Sequence, residues 1–355
     1  MIGVYSIVMS QSLTNINTRE PWIDYARGIA ILLVIVGHTV SGVLSGTIYS
    51  FHMPLFFIFS GITTKFSSTN KEFVVKTRRN FKHLMGPFFL IYIIQTIIYL
   101  FRHLSNVFQD SSFLTNYLNQ RILSGIFSSG VSISLLNTTV LYVGVIWFFP
   151  ALFLSKTLFD YLHLKLKTRQ LPLYCLLFSI LGVLIGQIQP LPFSFDIVLA
   201  ILPLFYIGSH FDNFRVKKSP SKKFFLYSLG WGLFLIITYV LGKCTLELAP
   251  RRYPAYPLCF ITAVLGTLMV SEFSVICCNY RRLSSPLQYI GENSLYLLCI
   301  HTLEWDYLTK LWQIHSNQYI CTIIRVLLDL ILFFIFMFLR SKCLAYKKHV
   351  HRVKS

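Results

Sequence analysis

Charged residues are scarce in this sequence of 355 residues, where Asp, Glu, Lys and Arg together make up only 13%. A soluble protein carries about 25% charged residues, most of them on its hydrated surface. The chain is also 55% hydrophobic, with a mean hydropathy of +0.62. The shortage of charge and the excess of apolar residues exclude a single water-soluble core and indicate an integral membrane protein.

Closely spaced cysteine pairs are absent as well. The eight cysteines show no CxxC spacing and no histidine cluster beside them, so neither a zinc site nor a redox pair is predicted, and we expect no metal. Most of them lie in apolar stretches, where cysteine behaves as a small hydrophobic residue. A disulfide framework is not expected.

Acidic residues are the scarcest charged class, and the formal net charge is therefore +19. Nucleic-acid binding would be one interpretation of such a charge. However, the basic runs, such as the one at 76–79, lie in short gaps between long apolar stretches. This is the positive-inside pattern of a protein that crosses a membrane several times. Membrane lipids, and no nucleic acid, are the expected surroundings.

Apolar runs of about 20 residues, the length of a spanning helix, occur ten times. They cover 26–44, 48–64, 84–104, 140–161, 171–189, 195–211, 222–243, 256–278, 287–308 and 320–340. With a cytoplasmic N-terminus and alternating loops, 23 of the 32 Lys and Arg residues are cytoplasmic and six lie on the other side. We therefore expect an all-α integral membrane protein of about ten transmembrane helices, with both termini cytoplasmic and a single domain over 1–355.

Ionisable residues inside a span are costly, so each one is a candidate functional residue. In the first span Asp24 and Arg27 are three residues apart and can pair on one helix face. His38 follows Arg27 by eleven residues, about 16 Å along a helix. A neutral imidazole there could take a proton from a hydroxyl. The alternative is a structural histidine bonded to a backbone carbonyl.

Further polar residues lie at the predicted outer side of the membrane. His52, at the start of the second span, could line the entrance for an acceptor or simply lie in the membrane interface. His301, Glu304 and Asp306 lie at the outer end of the ninth span. The two acidic residues could tune the imidazole of His301, or all three could form a solvated helix end.

Several motifs together resemble the membrane acyltransferase 3 family over about 20–305. They are Asp24-Tyr-Ala-Arg27-Gly-Ile-Ala-Ile with Gly37-His38 ten residues beyond the arginine, Phe51-His52-Met-Pro-Leu-Phe-Phe, Arg79-Asn-Phe-Lys82, Trp147-Phe-Phe-Pro150, and Gly291-Glu-Asn-Ser294 leading to His301. The basic loop of that family usually reads Arg-x-x-Arg, and here the second position is Lys82, which keeps the charge without the planar guanidinium. Within the family the chain is most similar to the fucose 4-O-acetylase-like, polysaccharide O-acetyltransferase branch.

The resemblance implies transfer of an acetyl or other acyl group from cytoplasmic acetyl-CoA to a hydroxyl. The acceptor would be a cell-surface polysaccharide or its lipid-linked precursor, and the location the cell inner membrane. The implied catalytic residues are His38 and Arg27; the donor-binding residues are Arg27, Arg78, Arg79 and Lys82; the acceptor-binding residues are His52, Trp147, His301 and Glu304. The alternative function is a secondary transporter or flippase for glycan precursors, although the inverted repeats typical of transporters are not evident.

Overall fold

The computed structural model describes residues 20–135, 138–313 and 316–354, and this part of the chain is overwhelmingly helical. The helices are α1 (Pro21–Gly37), α2 (Val43–Tyr49), α3 (His52–Thr63), α4 (Asn70–Arg102), α5 (Leu104–Gln109), α6 (Ser111–Phe127), α7 (Phe148–Lys165), α8 (Leu171–Ile188), α9 (Phe195–Ala200), α10 (Leu202–Ser209), α11 (Pro220–Gly242), α12 (Leu258–Cys278), α13 (Arg281–Glu292), α14 (Ser294–Tyr307), α15 (Thr309–Trp312) and α16 (Gln318–Lys354). Short 3-10 turns cover Gly144–Trp147, Pro192–Ser194 and Phe211–Phe214. Strands β1 (Ile133–Leu135) and β2 (Thr138–Val140) form one antiparallel pair.

The prediction of a multi-pass helical membrane protein is confirmed. In the described part of the chain, seven helical stretches are long and apolar enough to cross a membrane, and the pair Pro192–Ala200 and Leu202–Ser209, bent by 54°, makes up to eight if it counts as one span. Each of the ten predicted segments overlaps a helix. Two of the predicted spans lie in helices that are shorter than a membrane-spanning helix. They are the first span, in α1 with 17 residues, and the ninth, in α14 with 14 residues.

The first predicted span, 26–44, is not one continuous helix. Helix α1 ends at Gly37, and His38 caps it with φ −81° and ψ −4°. The Tyr49 hydroxyl donates a 2.7 Å hydrogen bond to the Gly37 carbonyl, which satisfies an acceptor that the helix end leaves free. Gly42, at φ +73°, then turns the chain into α2. His38 therefore lies at a helix break, not inside a helix.

Glycine contacts bring two helix pairs together at backbone distance. A Cβ on Gly61 of α3 or on Gly208 of α10 would collide with the backbone of the other helix. In the same way, a Cβ on Gly28 of α1 or on Gly291 of α13 would collide with the backbone of its partner helix. Small residues allow this close packing inside membranes, where lipid gives helices little hydrophobic drive to associate. Helix α14, which carries His301, follows directly after α13. The contact between α1 and α13 therefore also brings α14 close to α1.

Candidate active site

A cavity of about 590 Å³ lies among α1, α3, α14 and the loops around 130 and 247–252. One wall is apolar and includes Ile31, Val34, Phe56, Phe148 and Leu298. The polar and aromatic lining residues are His38, Tyr49, His52, Ser132, Tyr142, Trp147, Glu247, Arg252, Ser294, His301 and Thr302. Three histidines from distant parts of the sequence therefore share one cavity, as expected for a binding or catalytic site.

His38 lies at the centre of this histidine cluster. Its ring centroid is 5.7 Å from that of His301 and 6.1 Å from that of Tyr49. The Tyr49 ring in turn lies 5.1 Å from His52. The His52 Nδ1 donates to the Ile48 carbonyl at 2.9 Å, so the lone pair of a neutral ring is on Nε2. The aromatic chain His301–His38–Tyr49–His52 follows the cavity wall.

His301 has a buried carboxylate partner. Its Nδ1 lies 2.8 Å from Oδ2 of Asp329 in α16, and neither side chain has any exposed surface. Because the carboxylate accepts a hydrogen bond from Nδ1–H, it selects the tautomer whose Nε2 has a lone pair. A histidine held in this way can accept a proton or orient a hydroxyl group.

Arg325, also in α16, connects this acidic region to His38. Its Nε lies 3.0 Å from Glu304 Oε2, and both side chains are fully buried. Its Nη1 donates to the His38 carbonyl at 3.4 Å and to Thr39 Oγ1 at 3.2 Å. The guanidinium therefore fixes the backbone at the break after α1, where His38 lies.

The same region contains a set of possible metal ligands. Ligand atoms of His301, Glu304 and Asp329 all lie within 4.8 Å of one another. Arg325 already provides a cation there, because its Nε contacts Glu304 and its charge would repel a metal ion. The donor set is therefore explained by the arginine, and the account of the chemistry below uses no metal.

The predicted acceptor residues take different positions. His52, Trp147 and His301 all line the cavity, with Trp147 in the 3-10 turn that leads into α7. Glu304 is 1% exposed and pairs with Arg325 instead of lining the cavity, because the buried guanidinium requires a counter-charge. The side chain of Asp306 lies outside those that the structure describes.

The predicted donor residues form two groups. Arg27 lies 3.7 Å from Asp24 Oδ1, which confirms the predicted pair, and its Nη2 donates to Thr63 Oγ1 at 3.1 Å. Arg78, Arg79 and Lys82 are all exposed on α4. Position 79 is three residues from both Lys76 and Lys82 and shares a face with each. Arg78 is next to Arg79 in the sequence and is therefore directed to another side of the helix.

Neither Asp329 nor Arg325 was identified as a candidate site residue from the sequence. Their spacing in the sequence is a usable signal. Arg325 and Asp329 are four residues apart in an apolar helix and so share one helix face, and His301 and Glu304 are three residues apart in α14. Two helices with complementary charged pairs at helical spacing predict a mutual contact within a membrane.

Fold and cavity together define a multi-pass helical membrane protein with a buried histidine cluster open to a ligand-sized cavity. The model of the acyltransferase domain family, Acyl_transf_3, matches residues 20–344, and the chain belongs to this family. The protein is therefore an acyltransferase. The match continues past the 20–305 of the sequence resemblance and includes α16, the helix of Arg325 and Asp329. No curated protein matches the chain.

Proposed function

We propose that this acyltransferase moves an acetyl group from cytoplasmic acetyl-CoA to a hydroxyl of a cell-surface polysaccharide or its lipid-linked precursor. The observation that carries the proposal is the convergence of His38, His52 and His301 in one cavity. Trp147 and Tyr142 provide aromatic surface in the same cavity, and Glu247 provides a hydrogen-bond acceptor. Such a lining suits a sugar, and it supports placing the chain in the fucose 4-O-acetylase-like branch.

The reaction requires one base close to the acceptor hydroxyl. In our proposal the hydroxyl oxygen attacks the thioester carbonyl carbon while His38 takes the hydroxyl proton. The carbon–sulfur bond then breaks, and the proton passes from His38 to the sulfur, so that the products are the ester and free CoA. His301, oriented by Asp329, faces His38, and its Nε2 would accept a hydrogen bond from a second hydroxyl of the acceptor, since the proton of the reacting hydroxyl goes to His38.

A second route remains open for His38. If its nitrogen attacks the thioester first, an acyl-imidazole forms and CoA leaves before the acceptor enters. His301 with Asp329 would then serve as the base for the acceptor. Brief incubation with radiolabelled acetyl-CoA without acceptor separates the routes, because only the second leaves acid-precipitable label on the protein that hydroxylamine removes.

The donor would lie on the cytoplasmic side. Arg27 precedes His38 by eleven residues, about 16 Å of helix, so a donor held at Arg27 could extend its pantetheine arm towards His38. Arg78, Arg79 and Lys82 would supply further cations for the phosphates of CoA. The exposed positions of these three on α4 suit such a role.

The proposed topology has ten transmembrane segments, both termini in the cytoplasm, and the inner membrane as location. It counts α1 and α14 as spans despite their lengths of 17 and 14 residues. The distribution of Lys and Arg supports it. Cys343 is exposed in the C-terminal part of α16 and provides a test. A membrane-impermeant maleimide should label it in inverted vesicles and not in intact spheroplasts, and the reverse result would overturn the topology.

The function is tested with protein purified in detergent, radiolabelled acetyl-CoA and membranes bearing the surface glycan of the host. Wild type should transfer label to the glycan, and His38→Gln should not. His103→Gln is the matched control, because His103 is a partly exposed histidine that does not line the cavity.

One feature, the broken span formed by α9 and α10, is also common in transporters. If wild type transfers no label, and export of the glycan fails in cells carrying His38→Gln, the transporter or flippase function is correct and our proposal is wrong.

A further inference from the structure

Lys156 lies in an unusual position on α7. It interrupts an apolar stretch of that helix and is only partly exposed. Three other cations are close enough to interact with it electrostatically: Arg27 of α1, and Lys76 and Arg79 of α4. Three different helices therefore bring positive side chains to one place.

The carboxylates close to these four cations already form hydrogen bonds or ion pairs. Asp160, one turn beyond Lys156 on α7, accepts hydrogen bonds from the Ser67 backbone N–H and hydroxyl, both at 2.7 Å. It also lies 3.4 Å from Lys76 Nζ. Within the described residues, Lys156 itself makes no hydrogen bond and no ion pair within 4 Å. Asp24, the partner of Arg27, is the second carboxylate, so that four cations meet two acids.

This concentration of like charge requires an explanation. Cations in a cytoplasmic loop are accounted for by membrane topology. Lys156 is not in a loop, and a partly buried ammonium group without a partner is unfavourable next to three other cations. A bound anion would reverse the sign of that interaction, since each cation would then attract it.

We propose that Lys156 is a positioning residue that binds a phosphate group of the acyl donor, together with Arg27, Lys76 and Arg79. The inference rests on the proposed CoA donor and names the residue at its centre. Lysine binds phosphate as a compact point charge, and hydrogen bonds to a charged group are stronger than those between neutral groups. Arg78, on another face of α4 from Lys76 and Arg79, would then contribute less.

The test measures CoA binding to the purified full-length protein by calorimetry. Lys156→Met should weaken the affinity for CoA about tenfold or more. Lys156→Arg should keep most of it. The matched control is Lys165→Met on the same helix, where Lys165 is exposed and bonded to Asn70 at 3.1 Å, and it should bind CoA like wild type. In turnover, Lys156→Met should raise KM for acetyl-CoA and leave KM for the acceptor unchanged.

The outcomes separate the two proposals. If wild type binds CoA and Lys156→Met binds it equally well, the role of Lys156 is wrong and the donor assignment stands. If wild type does not bind CoA, the proposed donor is wrong, and pyrophosphate then serves as the probe. Pyrophosphate binding that is lost in Lys156→Met would support the anion site, and equal binding by both would overturn it. Should Lys156→Met not fold, Lys156→Gln replaces it in each measurement.

Discussion

Replacing Arg325 with methionine should destabilise the protein strongly. The substitution keeps a long side chain but removes the guanidinium that pairs with Glu304, which is 1% exposed. Asp329 is fully buried close by, bonded to His301, and would lose the attraction of the Arg325 charge. In the variant, two carboxylates would therefore lie in an apolar environment without the positive charge of Arg325.

The magnitude follows from the burial of the pair. Breaking a buried ion pair by removing one partner costs about 3–5 kcal/mol, because the remaining charge stays desolvated. We expect a fall in Tm of about 5 °C or more in detergent. The double variant Arg325→Met/Glu304→Leu removes both charges, and replacing a buried pair with apolar residues is often neutral. It should recover most of the lost stability.

Activity measurements on the two variants separate the effect of Arg325 on stability from its effect on the position of His38. The double variant lacks the bonds from Arg325 to the His38 carbonyl and to Thr39 Oγ1, so kcat should stay low although Tm recovers. Thermal unfolding and label transfer on the same preparations measure both effects. An unchanged Tm in Arg325→Met would show that the pair is not buried. Full activity in the double variant would show that Arg325 does not position His38.

Three further predictions concern the cavity and its surroundings. Asp329→Asn should lower kcat about 100-fold with little change in KM for acetyl-CoA, because His301 loses the carboxylate that orients it. Steady-state kinetics measure both constants, and a kcat within a few-fold of wild type would contradict this prediction. Arg251→Met should lower Tm, because the fully buried Asp196 loses its counter-charge, and should raise KM for the acceptor but not for acetyl-CoA. Arg251 bonds Asp196 at 2.6 Å and Ser129 at 3.1 Å and so holds loops that line the cavity; an unchanged acceptor KM would refute this role. Incubation with EDTA should leave activity intact, and recovery of lost activity by added metal would show that the acidic cluster binds an ion.

Helix positions were largely predictable from the sequence, whereas helix breaks were not. Long apolar runs must form helices in a bilayer, because unpaired backbone groups are costly there. The break after Gly37 depends on a hydrogen bond from Tyr49, a tertiary contact that hydropathy does not report. The bend between α9 and α10 lies next to Pro203, and this proline was visible, but nothing in the sequence gave its angle of 54°.

The site was predictable in parts. His38, His52 and His301 were recognisable as polar residues in apolar segments, and each does line the cavity. Their mutual distances depend on how α1, α3 and α14 pack, which one sequence does not reveal. Glu304 was expected to contact substrate, but it balances Arg325, because pairing in a low-dielectric interior dominates over access to the cavity.

The central claim is that an acyl group is transferred in the histidine-lined cavity. Its most direct test is transfer of radiolabel from acetyl-CoA to glycan by wild type and by His38→Gln, with both proteins folded to the same Tm. We predict label in the glycan for wild type and a loss of about 100-fold or more for the variant. Equal transfer by the two proteins would contradict the account and place the chemistry elsewhere in the molecule.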